Sequence, residues 1–382
     1  MKWGPLPECL RFALGSWLGV LGLCGSLGCG ADHVVGSIGL GTPVHHPVAA
    51  IASLAVADFD GDGHPDVLSQ DRDGFTVCLL RGVGDGSLLR PECQQLADSS
   101  TVIAALPVPF GRAMFLRAKS EVARWTLGAG GRFALIDKSP LPANASAQGL
   151  AVADVDGDGR LDVLVTTTGP QPVSVLLSTA TGFRSAGQYV LPTVPKELLY
   201  QDVDGDHHPE LAMLLPDRLM VWGERGQARW SGCSADGPQF SRPLGPWLVS
   251  LWMGGLPALM VFDASLGFLR VVRATPGADF TFVCGEVAVL PGVISPAVDV
   301  VAGMTTDLDG DGLTELLVAS KDGGLRAFRG EDGRLAPWTE LQLGTQVSSL
   351  AVADLNHDER PEVIAVSDRR DEILVVPNLF RR

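Results

Sequence analysis

Apolar runs of strand length recur along almost the whole chain, cut by turns rich in Gly, Asp and Pro, and they are too short for buried helices. The runs Leu54-Ala55-Val56-Ala57, Leu150-Ala151-Val152-Ala153 and Leu350-Ala351-Val352-Ala353 each lead into an acidic nonapeptide. A second run follows each acidic segment at once: Val67-Leu68, Val163 to Val165, Leu211 to Leu215, Leu316 to Val318 and Val363 to Val366. Beyond a turn comes a third, at Phe75 to Leu80, Val173 to Leu177, Leu219 to Trp222, Leu325 to Phe328 and Ile373 to Val376. A fourth closes most units, as at Gly187 to Leu191 and Trp338 to Leu343. Each unit therefore predicts four short antiparallel strands.

The acidic segments set the period. DFDGDGHPD, DVDGDGRLD, DVDGDHHPE, DLDGDGLTE and DLNHDERPE begin at Asp58, Asp154, Asp202, Asp307 and Asp354, at successive spacings of 96, 48, 105 and 47 residues. The two long spacings are double, so each hides a unit without an acidic loop. Strand-like runs from Thr101 to Leu106, Ala113 to Arg117, Val122 to Leu127 and Phe133 to Ile136 fill the first gap, with Leu106 to Gly111 in place of the acidic loop. Trp247 to Met253, Leu256 to Phe262, Phe268 to Arg273 and Phe280 to Val283 fill the second, with Gly254-Gly255 in that place. Four strands in about 50 residues is the signature of a propeller blade. The prediction is an all-β, seven-bladed β-propeller, with acidic-loop blades starting near 50, 147, 196, 299 and 348 and degenerate ones near 101 and 246. The last unit runs out of chain after three strands, at Arg382, so a strand near residues 34 to 40 is expected to close it and leave no open sheet edge.

The loops have the chemistry of a calcium site. Calcium takes six to eight hard oxygens, and carboxylates at positions 1, 3 and 5 of a tight loop can face one centre. These positions hold Asp58, Asp60 and Asp62 in the first loop, Asp154, Asp156 and Asp158 in the second, and Asp202, Asp204 and Asp206 in the third. They hold Asp307, Asp309 and Asp311 in the fourth and Asp354, Asn356 and Asp358 in the fifth. Gly at position 6 permits the turn. The position 7 carbonyl (His64, Arg160, His208, Leu313 or Arg360) adds a ligand, and the acid at position 9 (Asp66, Asp162, Glu210, Glu315 or Glu362) completes the shell. Soft ligands are absent from the ligand positions, which argues against zinc or copper there. An EF-hand is excluded too: its bidentate Glu at position 12 is replaced by Ser69, Val165, Met213, Val318 and Ala365. His207 replaces Gly at position 6 of the third loop, and Asn356 and Glu359 depart from the pattern in the fifth. Up to five calcium ions are expected, bound best at 58–66, 154–162 and 307–315.

An Asp-x-Asp-x-Asp-Gly-x-x-Asp pattern between two strands, repeated at blade spacing, resembles the FG-GAP/VCBS repeat family, which includes the integrin alpha-subunit propeller and many bacterial surface proteins. The literal Phe-Gly and Gly-Ala-Pro elements of the integrin version are missing. The resemblance implies a calcium-stabilised propeller used for adhesion or ligand binding, hence a non-catalytic scaffold with a protein or glycan ligand. A lectin is the alternative, because six tryptophans follow residue 30, at 125, 222, 230, 247, 252 and 338; they share no position of the repeat, so packing is expected of them. No nucleophile elbow, zincin helix or phosphate-binding Gly loop is present, and an enzyme acting on polysaccharide ranks last. His64, His207, His208 and His357 lie inside acidic loops, and His45-His46 reads as an exposed loop pair.

The first 30 residues stand apart. Lys2 and Arg11 precede an uncharged run from Phe12 to Gly30, as in a secretory signal, and Gly25-Ser26-Leu27-Gly28-Cys29 resembles the bacterial lipobox. Residues 1–30 are thus expected to be a signal peptide, with lipidation of Cys29 or ordinary cleavage before Ala31 or a retained anchor as the alternatives, and 31–382 a single propeller domain, monomeric and exported, anchored at the cell surface or secreted. The formal charge of −15 argues against a nucleic-acid partner. Four cysteines remain, for which Cys78 with Cys93 and, less readily, Cys233 with Cys284 are candidate disulfides.

Overall fold

The computed structural model describes residues 39–380 apart from connecting stretches, the longest being 202–209, 233–247 and 290–299. The expected signal peptide and Cys29 lie outside the described residues, and the compact unit is Ser37–Arg382. Its strands in chain order begin with β1 (Val44–Pro47), followed by β2 (Ile51–Ala57), β3 (Asp66–Asp71), β4 (Thr76–Leu80) and β5 (Glu92–Gln95). Next come β6 (Thr101–Val108), β7 (Gly111–Arg117), β8 (Glu121–Leu127) and β9 (Phe133–Pro140), then β10 (Ala147–Ala153), β11 (Asp162–Thr167), β12 (Val173–Thr179) and β13 (Gly182–Tyr189). β14 (Glu197–Gln201), β15 (Glu210–Leu214), β16 (Leu219–Trp222) and β17 (Ala228–Gly232) precede β18 (Leu248–Met253), β19 (Leu256–Asp263), β20 (Phe268–Thr275) and β21 (Thr281–Val289). The last are β22 (Val300–Thr306), β23 (Glu315–Ser320), β24 (Gly324–Glu331) and β25 (Arg334–Gln342), then β26 (Val347–Ala353), β27 (Glu362–Ser367) and β28 (Glu372–Val376).

These pair as seven four-stranded sheets: six consecutive meanders from β2 to β25, and a last sheet ordered β1-β28-β27-β26. The first strand of each sheet lies against the first strand of the next, from β2 through β6, β10, β14, β18, β22 and β26 and back to β2. Five of these inner strands (β2, β6, β10, β22 and β26) carry a register shift near their starts. A bulge adds local twist, which suits sheets that must turn around a common axis.

The second strands explain the continuous apolar runs of the sequence. β11, β23 and β27 are buried at all six positions, because each is covered on both faces by neighbouring sheets. The outer β9 alternates instead, with most of its residues exposed or half-buried. The described core divides into clusters shared between neighbouring sheets. Phe59, Leu68 and Leu79 of the first sheet pack with Ala123, Leu127 and Phe133 of the second. Leu355, Ile364 and Val375 of the last sheet pack with Ile51, Val67 and Leu80 of the first.

The expected seven-bladed propeller closed by residues 34–40 needs a correction at its closure. The closing strand is Val44–Pro47, which pairs antiparallel with β28 from Val44 opposite Val375 to Pro47 opposite Glu372. Its middle residues are His45 and His46 and it ends in proline, as befits a sheet edge, so a search for apolar runs passes over it. Leu40 does meet the C-terminal segment, but as an isolated bridge to Asn378, with Gly41 N–H donating to Pro377 O at 2.7 Å and Leu379 N–H to Gly39 O at 2.6 Å. The Phe380 ring packs directly on Gly39 at this turn. A Cβ on Gly39, whose φ is +147°, would lie 2.0 Å from the Phe380 ring. His45 and His46 accordingly belong to a strand and not to a loop: His45 Nδ1 meets Glu372 at 3.0 Å, while His46 is half-buried and burial lowers its pKa. The stretch expected to replace the acidic loop of the second unit is also shorter than the sequence implied. β6 continues to Val108, which pairs directly with Gly111, and Met253 likewise pairs with Leu256.

Polar contacts fasten the C-terminal segment across two sheets. The Asn378 amide donates to Leu308 O at 2.6 Å and to Pro361 O at 3.0 Å, while its oxygen accepts the Phe380 N–H at 3.1 Å. Asn378 is buried, so Asn378→Ala leaves these groups without compensation and should cost about 3 kcal/mol in urea unfolding. A loss below about 1 kcal/mol would show that the segment relaxes to recover the bonds.

Candidate functional site

Four acidic loops have the same internal wiring, seen most fully in the first. The position 1 carboxylate of Asp58 accepts the N–H groups of Gly61 and Gly63, Asp60 accepts that of Asp62 at 3.2 Å, and Asp62 accepts that of His64 at 2.8 Å. Asp154 in the second loop accepts from Gly157 and Gly159, both at 2.8 Å, and Asp307 in the fourth from Gly310 at 2.7 Å and Gly312 at 2.8 Å. These inward N–H groups bend each loop so that alternate carboxylates converge. Ligand oxygens of Asp58, Asp60 and Asp62 lie within 4.8 Å of one another, as do those of Asp307, Asp309 and Asp311. In the second loop the converging set is Asp154, Asp156 and Asp162, with Asp158 instead held by the Arg160 guanidinium at 2.5 Å. All donors are hard oxygens at a spacing that suits calcium.

The acid at position 9 does a second job. Asp66 is fully buried and accepts the Phe59 N–H at 2.9 Å and the Gly82 N–H at 3.0 Å. Asp162 repeats this with Val155 at 2.9 Å and Ser178 at 2.7 Å. Glu315 and Glu362 take the Leu308 and Leu355 N–H groups, each at 2.8 Å. Position 9 thus clamps position 2 at the strand exit. Position 2 is apolar in every loop (Phe59, Val155, Val203, Leu308, Leu355), a regularity visible in the sequence but outweighed there by the acidic residues. In the described loops its role is packing into the following sheet: the Phe59 ring meets Phe133 edge-on with centroids 6.3 Å apart, and Leu308 lies beside Val363, Leu374 and Phe380.

Two arginines reach into these clusters from neighbouring strands. Arg81 Nε lies 3.1 Å from Asp60, and its Nη1 lies 2.9 Å from Glu92. Arg329 pairs with Asp309 and, at 3.3 Å, with Glu315, and lies over the Trp338 ring, which stacks on Phe380. They offset part of the negative charge. Burial nonetheless raises the pKa of Asp66 to about 6 and of Glu315 to about 7, against the opposing pull of backbone N–H groups and with help from Asp60 and Asp309 respectively. Asp162 and Glu362 are shifted upward for the same leading reason.

The fifth loop keeps the wiring and not the cluster. Asp354 accepts the Asp358 and Glu359 N–H groups, but the Asn356 amide donates to Glu362 at 2.9 Å, and Arg360 bonds Asp358 at 2.8 Å. Positions 4 and 6, glycines with positive φ in the first, second and fourth loops, are His357 (φ 60°) and Glu359 (φ 64°) here. The need for glycine at position 4 as well as 6 was readable from Gly61, Gly157, Gly205 and Gly310. In the third loop residues 202–209, including Asp202, Asp204, Asp206 and His208, lie outside the described residues, while Glu210 is buried at the start of β15. Cys78 and Cys93 sit directly opposite on β4 and β5 and form a disulfide; Cys233 lies outside the described residues.

The model of an FG-GAP-like repeat matches residues 114–165 and 307–365. No curated protein matches the sequence. Among solved structures, BBS1N in complex with ARL6DN, soaked with mercury, superposes with a TM-score of 0.65 at 16% identity, covering 91% of this chain and 98% of that one. The same complex soaked with lead gives 0.64 at 15% identity, covering 90% and 98%. At such identity the likeness shows the propeller fold alone.

Two outcomes follow from the loops. Glu359→Gly relieves a left-handed backbone and should raise stability by about 0.5 to 1 kcal/mol in denaturant titration, with no gain if φ at 359 is already relaxed by its contacts. The folded state of the calcium-free protein holds protons on Asp66 and Glu315 more tightly than the unfolded chain does, their pKa values being raised from 3.8 and 4.5 to about 6 and about 7. Its stability should therefore fall as pH rises across that window. Urea unfolding in chelator between pH 4 and 7.5 reads this slope directly, and a rising or flat profile contradicts it.

Proposed function

We propose that this chain is an exported, non-catalytic β-propeller scaffold that binds a ligand at the cell surface and is stabilised by calcium in its acidic loops. The observation that carries the reading is the convergence of three carboxylates in each of three loops, all built from oxygen donors. Calcium would be held by positions 1, 3 and 5 with the position 7 carbonyl and the position 9 acid. Its charge would offset the repulsion that these carboxylates impose on one another. The fifth loop lacks such a group of three among the described residues and would bind most weakly. A site whose Kd lies about ten- to twentyfold below ambient calcium adds about 1.4 to 1.8 kcal/mol, so several together are large against ordinary domain stability.

Export is supported by the signal-like N-terminus, with a lipid anchor at Cys29, and by the Cys78–Cys93 disulfide, which persists in oxidising compartments. A protein ligand is supported by the fold neighbours, which are crystallised in complex with another protein. The lectin reading draws less support. Trp222 is buried in the cluster shared by the third and fourth sheets, Trp125 packs against the separate cluster shared by the first and second, and Trp338 stacks on Phe380 and lies under Arg329.

The test is a pull-down from envelope extract in calcium and in chelator, coupled to a glycan array and a melting curve. Chelation should lower the melting temperature by about ten degrees and release a protein partner. An unchanged melt sinks the calcium reading, and sugar binding alone replaces the protein ligand with a glycan. Turnover of a polysaccharide would overturn the non-catalytic assignment.

A further inference from the structure

The first and last sheets meet at a pair of histidines whose imidazole side chains the calcium chemistry does not use; of His64 it would take only the backbone carbonyl. His64 lies at position 7 of the acidic loop of the first sheet and His357 at position 4 of the loop in the last, 293 residues apart in sequence. Nδ1 of His64 lies 2.6 Å from Nε2 of His357, with ring centroids 4.9 Å apart. Neither arrangement is incidental to the backbone. His357 is held at φ 60°, where the first, second and fourth loops use glycine, so a side chain is carried there against a steric penalty of about 1 to 2 kcal/mol. His64 rests on Gly84, whose φ is +79° and where a Cβ would come within 2.4 Å of the imidazole. The same turn then crosses to the last sheet, where Gly86 N–H donates to Leu355 O at 3.2 Å.

We propose that His64 and His357 form a site for a borderline-soft divalent cation of the zinc class, a metal staple across the seam between the first and last sheets. Two imidazole nitrogens brought this close together are a ligand pair for such an ion once it takes the place of the hydrogen bond between them, and water supplies the remaining positions. A tetrahedral ion holds two such nitrogens about 3.3 Å apart, so these side chains need to separate by only about 0.7 Å. The flanking loops are acidic, which draws cations towards them. The site differs from the calcium loops in ligand type. It also differs in position, because it joins two sheets where each calcium loop serves one hairpin. Its ion would act on ring closure, adding a contact between sheets that are distant in sequence.

The test uses the purified chain in saturating calcium, so that the readout does not depend on vacancies in the acidic loops. Zinc titration by calorimetry should show one equivalent bound and a rise in melting temperature, and cobalt should give visible absorption bands. His64→Ala and His357→Ala should each lose both, whereas His45→Ala/His46→Ala should keep them. His357→Gly suits the left-handed backbone and guards against a loss of fold in the alanine variant. Zinc binding that is absent in the wild type, or unchanged in the His64 and His357 variants, overturns the proposal and leaves the pair as a plain N–H···N hydrogen bond. Failure of calcium to stabilise the chain would leave this outcome unaffected.

Discussion

The buried carboxylate at position 9 is the contact on which the repeating architecture rests. It sits at the start of the second strand and accepts the backbone N–H of position 2, closing the connection between the first two strands. That closure does two things. Outward, it closes the base of the loop in which the carboxylates converge, at positions 1, 3 and 5 in the first and fourth loops and 1, 3 and 9 in the second. Inward, it drives the position 2 side chain into the gap before the next sheet, as Phe59 and Leu355 show. The acidic loop is therefore an inter-sheet wedge as well as a cluster of ligands. A charged group buried this deeply is costly unless bonded, and here backbone N–H groups and arginines share the compensation.

Closing the ring calls on different forces from those that build each sheet. Within sheets, hairpin neighbours pair at short sequence separation. At the seam, chain ends must meet across more than 300 residues, and polar contacts supply the specificity. β1 pairs with β28, Asn378 ties Leu308 to Pro361, and His45 reaches Glu372. Arg329, Trp338 and Phe380 stack beside the fourth loop and bind the tail to the sixth sheet. Loop-closure entropy rises slowly with length, so a few such bonds suffice to hold the closed state.

Much of the site was legible from residue type and spacing. The repeat of Asp at alternate positions, the acid at position 9 and the weakening substitutions Asn356 and Glu359 all mark features present in the loops. Less legible was the division of labour among the acids. Asp66 and Glu315 stand outside the converging triads while Asp162 joins one in place of Asp158, which the Arg160 guanidinium holds. The structural duty of position 2 was present as a pattern but had no partner until the next sheet was in place.

The sequence by itself determined the all-β class, the repeat length and the five acidic loops, since alternation, turn residues and carboxylate spacing are local and each unit repeats them. Only the tertiary structure decided that Val44–Pro47, and not the more apolar stretch before it, completes the last sheet. The same holds for the pairing of His64 with His357 and for the burial of Asn378. These depend on which backbone edges and side chains arrive together when the ring shuts. Edge strands and polar seams are selected by hydrogen bonding between distant segments, and that leaves no hydrophobic period along the chain.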